Sequence, residues 1–295
     1  MRSLTTRRRQ SGKGHLVIVC RSQAEIEKLR RVNQLVARIL AELRQIVVPG
    51  ITTADIDELA ERRVREAGAE PAFKGYHGYP ATVCASVNEQ VVHGIPSDRP
   101  LANGDIVSID MGAKLDGFFG DSAVTVPVGT ITPQAAELLR VTEEALFRGI
   151  EAVRPGARVS DIGAAVQQHV EAQGFSVVRE FVGHGIGTAL HEEPQVANYG
   201  PAGHGPRLSE GMVIAIEPMV NAGKPAVKVL SDGWTAVTKD KSLSAHFEHS
   251  VVVTREGCEI LTLLASEDAR VRQLLASGRI VSGDSPETEG VRAHT

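Results

Sequence analysis

The feature that most constrains this chain is an internal repeat. Pro49-Gly50, Asp55-Ile56, Val64 and Gly68 return as Pro155-Gly156, Asp161-Ile162, Val170 and Gly174, always 106 residues later. A second stretch, residues 101–110 (Leu-Ala-Asn-Gly-Asp-Ile-Val-Ser-Ile-Asp), returns 107 residues later as residues 208–217 (Leu-Ser-Glu-Gly-Met-Val-Ile-Ala-Ile-Glu). Asp110 and Glu217 therefore hold equivalent positions. A match with this order and spacing reads as two halves, each a helical part followed by a strand hairpin, related by a pseudo-two-fold. The two acidic strand ends would meet at the face between them.

Local patterns agree with that division. Ser22 and Glu25 form a capping box, and Ile26, Leu29, Val32, Val36, Ile39 and Leu43 then recur at helical spacing until Pro49-Gly50 stops the helix. A second amphipathic helix follows Thr53, with Ile56, Leu59, Ala60 and Val64 on one face, and ends at Gly68. Residues 105–110, 118–127, 212–217 and 247–254 are rich in Val and Ile and bounded by Gly, Asp and Pro, which predicts strands. The fold class is α+β, with antiparallel sheet and outer helices. With 295 residues, 42% of them hydrophobic, the chain can fill a substantial core. Residues 1–17 are expected to form a flexible basic tail, 18–264 the catalytic domain and 265–295 a polar C-terminal tail, with a short helix over 266–277 and disorder over 278–295.

Composition removes several function classes. A net charge of −4 provides no global basic field for nucleic acid or anionic membrane. No apolar run approaches the roughly 18 residues needed to span a bilayer. Cys20, Cys84 and Cys258 are an odd number without a CxxC pair, which excludes a zinc ribbon and suits a reducing compartment, so a cytoplasmic protein is expected. Residues 1–24 carry six basic side chains (Arg2, Arg7, Arg8, Arg9, Lys13 and Arg21) and no acid. The apolar stretch at residues 16–20 is too short for a signal sequence, and the segment reads as a flexible basic tail, with a transit peptide or an RNA-touching arm as alternatives.

The chemistry begins in residues 108–125, where Asp110 and Asp121 flank a turn. A hairpin centred on Leu115-Asp116 would set them opposite each other, with Cβ atoms about 5 Å apart. Like charges so placed destabilise a sheet unless cations lie between them, and His184, Glu217 and Glu248 are further ligand types. Each acid taken singly is more often a solvated or capping residue; together they form an oxygen-rich set with one imidazole. Such a set suits octahedral divalent ions rather than a closed structural zinc. Four carboxylates nearly balance two divalent ions, and two metals about 3.5–4 Å apart can hold a bridging water as nucleophile and polarise a carbonyl. His184 lies in Gly-His-Gly-Ile-Gly, which is not GxGxxG because Thr188 stands at the third glycine, and His191-Glu192-Glu193 is not HExxH because Gln195 replaces the second histidine. His93, between apolar residues, reads by itself as a packed core histidine.

Several motifs occur in an order that resembles one family. They are Tyr76-His-Gly-Tyr-Pro, Asn88-Glu with Val-Val-His93-Gly-Ile-Pro, Asp110 and Asp121, Gly-His184-Gly-Ile-Gly, His191-Glu-Glu-Pro, Ile-Glu217-Pro-Met and Phe-Glu248-His. Over residues 18–263 the chain resembles the type I methionine aminopeptidases of the short bacterial kind. That resemblance implies a pita-bread fold with a dinuclear site between pseudo-symmetric halves. It implies that Asp110 holds one metal, His184 and Glu217 the other, that Asp121 and Glu248 bridge them, and that Glu217 takes the proton of the attacking water. His93 and His191 would hydrogen-bond the scissile amide and the oxyanion or pass a proton to the leaving amine. Tyr76, Tyr79, Cys84 and Trp234 would line a methionine pocket, although alone they read as ordinary aromatic core.

The implied activity is removal of the initiator methionine from nascent polypeptides with a small second residue. It would use two divalent ions (Co, Mn, Fe or Zn), with transient ribosome contact and a monomeric state. Leu190, where the family usually has Phe, and Phe73, at a pocket-edge place often filled by a smaller residue, depart from the pattern and bear on pocket shape. Two alternatives share the fold. A proline-specific aminopeptidase or dipeptidase usually carries a large extra N-terminal domain, whereas fewer than 25 residues precede the helical pattern here. A non-catalytic ribosome- or RNA-associated protein would be expected to have lost ligands.

Overall fold

The computed structural model of the protein describes residues 17–264 and 280–282; the expected basic tail up to residue 16, the expected helix over 266–277 and most of the C-terminal tail lie outside the described residues. Helix α1, Gln23–Ile46, starts at the expected capping box: Ser22 accepts the Glu25 N–H, and the Glu25 carboxylate accepts the Ser22 N–H at 2.8 Å. Its buried face includes Ile26, Leu29, Val32, Val36, Ile39 and Leu43. Helix α2, Thr53–Glu66, is capped by Thr52, whose N–H is received by Asp55 at 2.9 Å. Helix α3, Pro133–Glu151, was not anticipated, although Thr132 caps it and proline opens it. Helix α4 is Val159–Ala172.

The repeat is written in duplicated hydrogen bonds. Gly50 N–H donates to Leu101 O and Leu101 N–H to Ile51 O, both at 2.8 Å; Gly156 N–H donates to Leu208 O at 2.9 Å and Leu208 N–H to Ala157 O at 2.8 Å. Asp161 receives the Arg158 N–H at 2.7 Å, as Asp55 receives that of Thr52. Gly104 and Gly211, equivalent in the second repeated stretch, both have positive φ, +100° and +84°. The recurring Pro-Gly, Asp and Gly residues are thus the turn and cap chemistry that joins a helix start to the strand behind it.

In the first half, Ile106–Leu115 pairs antiparallel with Glu70–Pro71, Val83–Val87 and Phe118–Pro127. In the second half a six-stranded sheet runs in the order Ile280–Ser282, Cys258–Ile260, His249–Val253, Val213–Ile216, Gly183–Gly185, Glu192–Val196. The expectation of a structureless tail is corrected at its Ile-Val-Ser stretch, which adds a parallel strand to the edge of Cys258–Ile260, where backbone groups would otherwise lack partners. Met219–Asn221 joins Ser244–His246 and Ser176–Val177, and Ala236–Thr238 joins Val227–Val229 and Gln90–Val92. Helix α1 packs on the first sheet so closely that a Cβ at Gly120 would lie 3.0 Å from the Asn33 nitrogen.

The hairpin register corrects a second expectation. The turn residues are Asp116 and Gly117, both at positive φ (+50° and +82°), the geometry of a type I′ turn. The Asp-Gly pair takes the two central positions, one residue later than a turn at Leu115-Asp116. Gly112 therefore faces Asp121, and Asp110 faces Ala123. The two aspartates share a face but sit diagonally, where ladder geometry separates neighbours by about 7–8 Å. That spacing leaves room between the carboxylates.

The halves are sewn together beside these residues. Glu248 N–H donates to Ala123 O at 2.9 Å, Ser122 Oγ to Glu248 O at 2.7 Å, Ser250 Oγ to Asp121 O at 2.9 Å, and Thr125 Oγ1 to His246 O at 2.8 Å. In α4, a Cβ at Gly163 would overlap the Ala197 carbonyl oxygen and stand 2.7 Å from the Tyr199 nitrogen. Gly163→Ala should therefore destabilise the protein by about 1–3 kcal/mol, against the roughly 1 kcal/mol that helix propensity alone would add. Urea unfolding reads the sign, and a more stable variant would contradict the packing described.

Candidate metal centre and its cleft

Five side chains from five segments converge at the seam. Asp110 and Asp121 come from the two strands of the hairpin, His184 from the middle of Gly183–Gly185, Glu217 from just beyond Val213–Ile216, and Glu248 from just before His249–Val253. Asp121, His184 and Glu248 are buried and offer ligand atoms within 4.8 Å of one another. His184 Nε2 lies 3.5 Å from Glu217 Oε1 and 3.8 Å from Asp121 Oδ2. Asp110 joins this group electrostatically, raising the proton affinity of Asp121, Glu217 and Glu248.

The donor set fits cations. One oxygen each of Asp110, Asp121 and Glu248 is buried without a hydrogen-bond partner. Among the described residues no Lys or Arg pairs with the four carboxylates; their ion-pair neighbours are His184 and His246. Burial pushes the Asp110 carboxyl up to about 7. Burial first, then neighbouring carboxylates, raises Asp121, Glu217 and Glu248 well above the usual range. His184 Nδ1–H donates to Gly185 O at 2.9 Å, which leaves the Nε2 lone pair for a ligand. Burial, and then His191, lower this histidine to about 3, so it stays neutral and cannot offset the acids. Orphaned carboxylate oxygens with a neutral imidazole describe a site for divalent ions.

The remaining expected residues fall into two groups, Tyr79 and His93 around Trp234, and Tyr76 with His191 beside His184. Tyr79 is buried, donates from its hydroxyl to Gly94 O at 2.9 Å, and meets the Trp234 ring edge-on at 5.1 Å. His93 packs edge-on between Phe181 at 5.4 Å and Trp234 at 6.4 Å. Cys84 is buried directly across the ladder from Asp110, and burial raises its thiol. Tyr76 stands apart from the Tyr79–Trp234 pair: its hydroxyl is 2.9 Å from His191 Nδ1, and the His191 ring is 4.3 Å from that of His184. Leu190 is buried, and Phe73 is buried against Gly112.

Two residues escaped the sequence reading. His246 is buried, with Nε2 unpartnered and 3.9 Å from Glu217 Oε2. Strand alternation held its signal, since residues two apart share a face and Glu248 was already a candidate. Phe181, three residues before His184, carried no local signal.

Comparison with known proteins agrees with this geometry. The model of Metallopeptidase family M24 matches residues 27–255. Methionine aminopeptidase 1 of Bacillus subtilis (strain 168) is 52% identical over 246 residues, covering 83% of this chain and 99% of that protein. The crystal structure of methionine aminopeptidase from Thermotoga maritima shares 46% identity at a TM-score of 0.83, covering 84% of this chain and 100% of its own. The prolidase from Pyrococcus furiosus shares the fold, with a TM-score of 0.69 at 24% identity, over 84% of this chain and 66% of its own. A family match across most of the chain and a relative more than half identical over nearly its whole length leave one assignment: this chain belongs to metallopeptidase family M24.

Proposed function

We propose that this chain is a methionyl aminopeptidase that removes the initiator methionine from nascent proteins whose second residue is small. The observation that carries the reading is the convergence of four carboxylates and the neutral His184 beside an aromatic cleft. Asp110 would hold one divalent ion, His184 and Glu217 the other, with Asp121 and Glu248 shared between them. When bound, two such ions supply the Lewis acidity that acidifies the attacking water and polarises the scissile carbonyl. Glu217, whose proton affinity is raised by burial and by Asp110 and Asp121, suits the base that takes the water's proton and delivers it towards the leaving amine. His191, tied at Nδ1 to Tyr76, keeps Nε2 for the substrate amide or the developing oxyanion. His93, held neutral by burial between two aromatic rings, is the second such contact. Tyr79, Cys84 and Trp234, with Tyr76 at the edge, would form the methionine pocket.

The alternatives have less support. The likeness to prolidases is one of fold, and a binding protein on this scaffold would not need all five donors. Nascent chains are the natural substrate, and the cytoplasm, with all three cysteines unpaired, is the natural setting. No helix among the described residues is long and apolar enough to cross a membrane. Exposed Lys224, Lys228, Lys239 and Lys241 surround the hairpin that carries Trp234, and their charge suits transient contact with a phosphate-rich ribosomal surface. A monomer suffices, because the site is complete within one chain.

Three outcomes test the reading. Purified protein with added divalent metal should release methionine from Met-Ala-Ser and not from Met-Lys-Ser or formyl-Met-Ala-Ser; equal cleavage of the formylated peptide would end the assignment. Glu217→Gln should lower kcat on the order of a thousandfold while the protein stays folded by circular dichroism. Retained turnover with metal present would remove Glu217 from the proposed role. The raised carboxyls also set a pH dependence. Acids whose pKa is higher folded than unfolded make the metal-free protein most stable at low pH, and that stability falls as pH rises through the folded value, about 7 for Asp110. Thermal stabilisation by Mn²⁺ should therefore grow from pH 6 to pH 8, and a stabilisation that shrinks across that window would contradict the proposed ligand set.

A further inference from the structure

The sequence groups Arg21 with a basic tail, but the structure buries it. Arg21 is 9% exposed and lies against the loop that carries His191. Its Nη2 pairs with Glu192 Oε2. The other oxygen of that carboxylate accepts the N–H groups of Thr188 at 2.8 Å and Ala189 at 3.0 Å, and the Thr188 hydroxyl at 3.1 Å. The guanidinium covers Gly187 so closely that a Cβ there would overlap it. Gly187 itself is bound on both sides, its N–H donating to Ala189 O at 3.1 Å and its carbonyl accepting Phe119 N–H at 2.8 Å. Arg21 is anchored in turn: its N–H donates to Gly211 O at 2.7 Å, Cys20 bridges to Met212, and Nη1 lies 3.7 Å from Glu25 in the cap of α1.

We propose that Arg21 and Glu192 are a positioning pair for the reaction, fixing the 187–192 loop so that His191 is presented to the substrate. The inference rests on the role given above to His191. Glu192 adjoins His191 in the chain and closes the loop onto its own backbone, while Arg21 ties that closed loop to the start of α1 and to the second-half sheet. Among the described residues the Arg21 and Glu192 side chains bond to Glu25, to each other and to the 188–189 backbone and hydroxyl, not to a proposed metal ligand, so the side-chain pair acts through where His191 stands. A displacement of about 1 Å at a group that contacts the transition state can cost on the order of 100-fold in rate.

The test is steady-state kinetics on Met-Ala-Ser with metal-loaded full-length enzyme. Arg21→Ala and Glu192→Gln should each lower kcat about 10- to 100-fold with KM changed less than about threefold, and Mn²⁺ affinity measured by calorimetry should be unchanged. Arg21→Lys should recover much of the loss, since an ammonium can still reach the carboxylate. In a His191→Ala background, Arg21→Ala should add little further loss, because the residue it positions is gone. The inference is overturned if kcat of Arg21→Ala or Glu192→Gln stays within twofold of wild type. It is also overturned if Arg21→Ala lowers kcat as much in the His191→Ala background as in wild type. Should Arg21→Ala not fold, Glu192→Gln, which keeps the size and the accepting oxygen, decides the matter alone. An inactive wild-type enzyme would instead count against the activity proposed above, so the two failures are distinct.

Discussion

Four carboxylates share one site with no arginine or lysine of the described residues paired to them, and the surrounding structure has to hold that repulsion. Two like charges about 4 Å apart at an effective dielectric near 20 repel by about 4 kcal/mol, whereas a single hydrogen bond contributes about 1 kcal/mol. The four seam bonds from Ser122, Thr125, Ser250 and the Glu248 amide together match roughly one such pair. Protons or divalent ions must supply the remainder. The neutral His184 cannot, because burial, and then His191, keep it unprotonated.

The duplicated scaffold explains how such a site is held in shape, and where the halves differ explains how it is completed. Asp110 lies within one continuous ten-residue strand. Its counterpart is interrupted: Glu217 is followed by Pro218, and the chain leaves Val213–Ile216 to re-form as Met219–Asn221 in a different sheet. Proline has no N–H for the ladder, so the break falls where the sequence places it. The Glu217 carbonyl, freed from the ladder, accepts an N–H of the buried Asn198 side chain at 3.1 Å. One half thus presents a rigid ladder, and the other presents donors at strand ends.

Much of this was legible in the sequence because it is encoded in residues with a single mechanical meaning. The Pro-Gly, Asp and Gly of the repeat are turns and caps, so their recurrence revealed both halves. The capping box at Ser22 located α1 to within a residue. Short strands such as Gly183–Gly185 and Met219–Asn221 were not readable, since three residues show no periodicity and their pairing is decided by distant partners. The hairpin register failed by one residue for a local reason. Centring the turn on Leu115-Asp116 ignored that Asp-Gly fills the two positive-φ positions of a type I′ turn. Asp110, Asp121, His184, Glu217 and Glu248 are brought together as a set, but Phe181 and the buried Arg21 were invisible because each is defined by what lies across the fold.

The diagonal placement of Asp110 and Asp121 also bears on how the site tolerates the protein's own packing. Directly opposed carboxylates would press on each other through the closest Cβ positions of the ladder; offset by two residues, they leave Ala123 and Gly112 as their partners across the strands. Gly112 is needed there on other grounds, since a Cβ would stand 2.9 Å from the Phe73 ring and 3.1 Å from Gly120 O. Gly120 in turn lets α1 approach until Asn33 Oδ1 receives the Asp121 N–H at 3.3 Å. Two glycines and one asparagine therefore tie the backbone of Asp121 to the helix and sheet on either side of it. The small residues around the acids are what allow the charge to be held at a fixed separation instead of relaxing apart.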